Sequence, residues 1–111
     1  MIALALAILI GQPGSMVPFR SVCMSPDPLA QMSSVQQAQG MAAGVSIWRD
    51  AVADGTCVEL PISVAGVLGD KLGSWHGTHQ DRTYRWSLWT VDFKGVTLFG
   101  LFPDDEDGPS A

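Results

Sequence analysis

Three residues have metal-ligand character: His76, His79 and Asp81. A His-x-x-His pair followed by Asp in a loop brings three ligands towards one zinc ion. Asp70 is the nearest candidate for a fourth ligand. The matching activity is a metal-binding or metal-dependent hydrolytic protein. Polar loop histidines also serve as solvated or capping groups, so the pattern alone does not fix that role. Serines are plentiful, but none sits in a nucleophile elbow, and no catalytic residue is assigned. The densest acidic cluster, Asp104, Asp105, Glu106 and Asp107, follows the last apolar segment and reads as a solvated tail. No cofactor motif is present.

A second set of residues suggests recognition without catalysis. Trp48, Trp75, Trp86 and Trp89 are many tryptophans for 111 residues. Aromatic rings at sheet positions mostly build core, and Trp89 is expected there. Trp75 and Trp86 flank the polar stretch His76 to Arg82. Left exposed, they would form a platform for a peptide or glycan. His76 and Arg85 would add polar contacts to it.

Cys23 and Cys57 are the only cysteines, and they flank a helical region. Their spacing matches no zinc motif. A bridge between them would close a long loop and pin the helices to the first strand of the β-rich half. Such staples suit small exported domains with limited cores. The other reading is two buried thiols in a reducing compartment.

Composition narrows the classes further. The chain has the size of one domain, with 47% hydrophobic and 15% charged residues. Its net charge is −5, and setting aside the four clustered acids leaves six basic against seven acidic residues. No basic patch is present to neutralise phosphates, which argues against nucleic-acid binding. Residues 1–10 are wholly apolar but too few to span a bilayer as a helix. They resemble the core of a secretory signal, ended by Gly11-Gln12-Pro13-Gly14. No Lys or Arg precedes the run, and a buried first strand or helix is the alternative. The expected organisation is a leader over 1–15, one domain over 16–103 and an acidic flexible tail over 104–111. The expected location is periplasmic or secreted.

The elements that must position these residues are readable in outline. Asp27 is a good N-cap and Pro28 suits the first helical position. Leu29, Met32, Val35 and Ala38 follow on one face. Gly40 and Gly44 interrupt, and Met41 to Ala53 continues with Met41, Val45, Trp48 and Val52 together. One kinked helix or two would fit. Gly55 is the C-cap candidate. Thr56 to Leu60 reads as a strand ended by Pro61. Val64 to Gly69 is ambiguous, Leu72 to Trp75 opens another strand, and His76 to Arg82 reads as an exposed connection.

Tyr84 to Phe102 carries the clearest signal, a β-hairpin with aromatic and β-branched arms. Asp92-Phe93-Lys94-Gly95 suits a type I turn closing a three-residue loop. That places Asp92 opposite Val96, Val91 opposite Thr97 and Trp89 opposite Phe99. Both faces are apolar, so one should line a sheet core and the other lie under a helix. The apolar phase shifts between Leu88 and Trp89, which suggests a β-bulge.

The layout resembles small exported bacterial proteins of unknown function. The residues that carry this are Gly55-Thr56-Cys57-Val58-Glu59-Leu60-Pro61, then Trp89-Thr90-Val91 and Gly95. The resemblance implies export and assigns no catalytic residue. The expected fold is α+β: a helical first half packed on a small antiparallel sheet, with an SH3-like barrel as a candidate form. The expected function is an exported, non-catalytic interaction module whose partner is a peptide, a glycan or an envelope protein. The alternatives are the metal-dependent protein above and an inhibitor of an envelope or host enzyme.

Overall fold

The computed structural model describes residues 12–104. Strand β1 (Met16–Cys23) leads into helix α1 (Asp27–Gln39). A 3-10 turn (Met41–Gly44) joins it to helix α2 (Val45–Ala53). Strands β2 (Cys57–His79), β3 (Arg82–Phe93) and β4 (Val96–Pro103) complete the order. The fold is α+β, as expected. The helices, however, are not simply the first half: β1 precedes them and belongs to the sheet. The apolar leader falls mostly outside the described residues. Gly14 and Ser15 bond to the backbone of Leu68 at 2.8 and 2.9 Å, so the ladder starts just before β1.

The helical region is two helices. Gly40 has φ +111°, which few side chains tolerate, and α1 stops there. Gln36 donates from its side-chain amide to the Met41 carbonyl at 2.9 Å, bracing the break. The buried face of α1 is Leu29 and Ser33, one helical turn apart, whereas Ala38 is exposed. In α2, Ala51 is buried, while Val45 and Val52 are largely exposed. The seam therefore runs one position away from the stripe of threes. A serine joins it because Trp86 reaches over from β3 and its indole N–H donates to Ser33 Oγ at 2.9 Å. Trp86→Phe removes that donor beside a hydroxyl with no solvent access. It should cost about 1–3 kcal/mol, read as a lower denaturation midpoint, while Trp86→Tyr should not restore the bond.

After α2, Gly55 takes φ +85° in the turn that ends the helix. The Thr56 N–H donates to Asp54 Oδ1 at 2.8 Å. The Thr56 side-chain hydroxyl first, and this backbone bond second, hold the Asp54 carboxyl below its ordinary pKa. A lowered folded-state pKa gives stability that is present above the unfolded pKa. It is lost as pH falls through the folded value. Asp54 should therefore titrate by NMR at lower pH than in a Thr56→Pro variant, which lacks both the hydroxyl and the backbone donor.

All four strands are antiparallel and join in the order β1-β2-β3-β4. β1 also meets β4 at one residue pair, Cys23 with Phe99, which closes the sheet into a ring but, with a single pair at the seam, not into the expected barrel. β2 is one continuous strand of 23 residues where the sequence reads as several pieces. It pairs with β1 along its first half and with β3 along its second. Pro61 does not end it. The register shifts there, opposite Arg20, whose guanidinium donates to the Leu60 and Pro61 carbonyls at 3.3 and 3.4 Å. Gly66 marks a close approach, since a Cβ there would lie 2.6 Å from Val91 and 2.8 Å from Phe19.

The β3–β4 hairpin forms where expected, with its register displaced by one. Phe93 pairs with Val96, Asp92 with Thr97, Val91 with Leu98 and Thr90 with Phe99. The loop is the two residues Lys94 and Gly95, both at positive φ (52° and 82°), as a type I′ turn requires. No bulge interrupts β3 itself. The register shifts lie in its partner, between Leu68 and Lys71 and between Lys71 and Gly73, and only the second faces the Leu88–Trp89 step.

The two apolar faces make two cores. Inside the ring, Val17, Phe19, Val22, Leu68, Trp89, Val91 and Leu98 pack together. Beneath the helices, Cys23, Leu29, Ala51, Cys57 and Leu88 pack with Trp48 and Trp75. Cys23 and Cys57 are opposite one another in the β1–β2 ladder and are bonded by a disulfide. The bridge closes the excursion that contains both helices. No helix among the described residues is long and apolar enough to cross a membrane.

Candidate functional site

The far halves of β2 and β3 form a two-stranded ribbon that positions the candidate residues. Trp75 pairs with Trp86, and His76 pairs with Arg85. Side chains alternate along a strand, so the two pairs face opposite ways. The tryptophans turn towards the helices. Trp86 is 7% exposed and bonded to Ser33. Trp75 is half-buried and folds back over Gly73. His76 and Arg85 are exposed on the other face. The expected platform of Trp75, His76, Arg85 and Trp86 is thus divided: neighbours in sequence became opposites in the sheet.

The proposed metal ligands are separated in the same way. His76 and His79 lie on β2, not in a loop, and three residues along a strand reverses the face. His79 lies against Tyr84, with ring centroids 6.5 Å apart. The connection to β3 is only Gln80 and Asp81, both at positive φ. Asp70 sits beyond, its N–H donating to Thr90 Oγ1 at 2.8 Å. Among the described residues, no three His, Cys, Asp or Glu side chains are placed to hold a metal ion.

What the ribbon does bring together is a polar strip. Ser74 and Ser87 are cross-strand partners on the His76–Arg85 face. Their hydroxyls are 2.9 Å apart, and Ser87 donates onward to Asp104 Oδ1 at 2.8 Å. Asp104 is held there because its N–H donates to the Arg85 carbonyl at 3.0 Å. It follows β4 directly, so three strands contribute to one place. A cleft of about 310 Å³ opens among Ser74, Trp75, His76, Thr83, Arg85 and Asp104. Ser87, bonded to two of these lining residues, has no solvent access itself.

Sequence reasoning singled out His76 and Arg85 and missed Ser74, Thr83, Ser87 and Asp104. The available signal was Ser87, a lone hydroxyl between Trp86 and Leu88 in an otherwise apolar arm. Asp104 was hidden by the acids that follow it. A separate apolar groove of about 360 Å³ runs between α1 and the end of β4, with Met32, Met41, Leu101 and Phe102 in its walls.

No known protein family, curated protein or solved structure matches this chain. The polar cleft therefore has to be read from its own chemistry.

Proposed function

We propose that this protein is an exported interaction module, stapled by the Cys23–Cys57 disulfide and built on an SH3-like ring. It binds through the polar cleft of the β2–β3 ribbon. The observation that carries this reading is the convergence of five polar residues, Ser74, His76, Thr83, Arg85 and Asp104, from two strands and the end of a third onto one cleft. Polar groups that only needed hydration would have no reason to be braced by a buried serine and a strand terminus.

The disulfide supports an oxidising compartment, because such bonds persist outside the reducing cytosol. The groups of the cleft suit hydrogen bonding to a ligand.

The test compares immobilised wild-type protein with an Arg85→Ala variant as bait for envelope extract, with retained proteins and glycans identified by mass spectrometry. A component held by wild type and lost by the variant supports the reading. Identical retention by both would sink it. Elemental analysis separates the metal-dependent alternative: a stoichiometric metal lost in His79→Ala would favour that protein instead.

A further inference from the structure

We infer that the ribbon cleft takes a neutral saccharide. This rests on the binding reading above and names the ligand class of the same cleft.

Ser87 has a single O–H, and it donates that proton to the Asp104 carboxylate. The 2.9 Å bond between the serines must then be donated by Ser74. The order of the chain is fixed: Ser74 gives to Ser87, and Ser87 gives to Asp104. Ser74 Oγ therefore meets the cleft with lone pairs only. It is an acceptor, polarised by a carboxylate two bonds along, and such chains strengthen each member.

Arg85 is the opposite case. A guanidinium has five donors and no acceptor. Arg85 has a further contact within the chain, and five donors allow more than one partner. It is diagonal to Ser74 across the ribbon, and diagonal neighbours stand about 7–8 Å apart. The cleft thus has an acceptor at Ser74 and donors on the Arg85 side chain, contributed by neighbouring strands. His76, across from Arg85, and Thr83, two residues beyond Arg85, can give or take.

A complementary ligand must offer donors and acceptors over that span. Asp104 and Arg85 oppose each other in charge, so neither an anion nor a cation is singled out. A ring bearing several hydroxyls meets both demands, because each hydroxyl gives one bond and takes two. An extended peptide has a poorer fit. The His76 N–H that a new strand would use is already donated to the Gln37 side-chain oxygen at 2.9 Å.

The experiment is a titration of ¹⁵N-labelled protein with glucose, galactose and N-acetylglucosamine, with inorganic phosphate as the charged comparison. At least one sugar should shift the amides of His76, Thr83 and Arg85. Arg85→Ala and Asp104→Ala should each weaken that sugar about tenfold or more, as loss of a bond to a charged group does. Ser87→Ala should weaken it too, although Ser87 lies beneath the ligand, because Ser74 would then be free to turn its proton outward. Asp104→Asn should retain part of the affinity, since its carbonyl can still accept from Ser87. Folding of each variant is read from the same spectra.

The inference is overturned if no sugar binds the folded protein, if phosphate binds instead, or if Ser87→Ala and Arg85→Ala bind as wild type does. If no sugar binds but an Arg85-dependent partner is still captured from extract, the ligand class fails and the module stands. If neither is found, both fail.

Discussion

Trp89→Ala should cost about 3–5 kcal/mol, a large share of the roughly 5–15 kcal/mol that holds a domain together. Trp89 is 3% exposed and packs inside the ring with Leu68, Val91 and Leu98. Every wall of that core is a strand already committed to a ladder, so the ring cannot collapse far around a missing indole. The Lys71 ammonium stands 5.4 Å from the indole centroid, and its attraction to that ring would also be lost. Urea denaturation of wild type, Trp89→Ala and Trp89→Phe gives the comparison. Phe should recover much of the loss. A cost below about 1 kcal/mol for Ala would contradict the packing described for the ring.

Loss of the disulfide should have an effect of similar size. Closing a loop across a separation of 34 residues is worth roughly 3–4 kcal/mol in the chain-entropy model. Each kcal/mol moves the melting temperature of such a domain by about 4–8 °C. The Cys23→Ala/Cys57→Ala protein should therefore melt at least ~12 °C lower by calorimetry. Both cysteines are 1% exposed, which shields the bond from reductant in the folded state. Thiol titration of native protein should find no free thiol, and reduction should be slow until denaturant is added. Fast reduction without denaturant would show that the β1–β2 end opens readily.

Some of this was legible from residue types alone. The disulfide pairing, the two-sided apolar hairpin and a glycine turn after α2 followed from local chemistry that tertiary structure did not override, although the C-cap is Asp54 and Gly55 follows it. The register of the hairpin did not. Asp92 and Gly95 suit a three-residue loop well, and nothing local shows that Lys94 would accept positive φ to make a two-residue one. β2 was unreadable as a single strand because Pro61 and its glycines look like punctuation. They mark sites where Arg20 bonds across a bulge and where Val91, Phe19 and Trp86 pass close, which are facts about other strands.

The candidate site failed in the sequence for the same reason. Once His76 to Arg82 is taken as a loop, Trp75, His76, Arg85 and Trp86 look like one cluster. Continuing the strand through His79 separates them by alternation. It also gathers Ser74, Thr83 and Ser87 with His76 and Arg85. Asp104 could be added only by knowing where β4 ends against β3.

The single long β2 also has a consequence in time. Its second half meets β3 through a two-residue turn, and β3 meets β4 through another, so three strands can pair from near neighbours. Its first half must wait for β1, from which both helices separate it. Contacts between near neighbours form quickly, whereas those that close long stretches of chain are slow. The meander of β2, β3 and β4 should therefore assemble first, with the polar strip of the ribbon largely in place, and β1 should dock last. Once the cysteines are joined, the ends of that stretch are already together. Refolding of oxidised chains should be faster than that of reduced ones, and the late step that speeds up should be the arrival of β1.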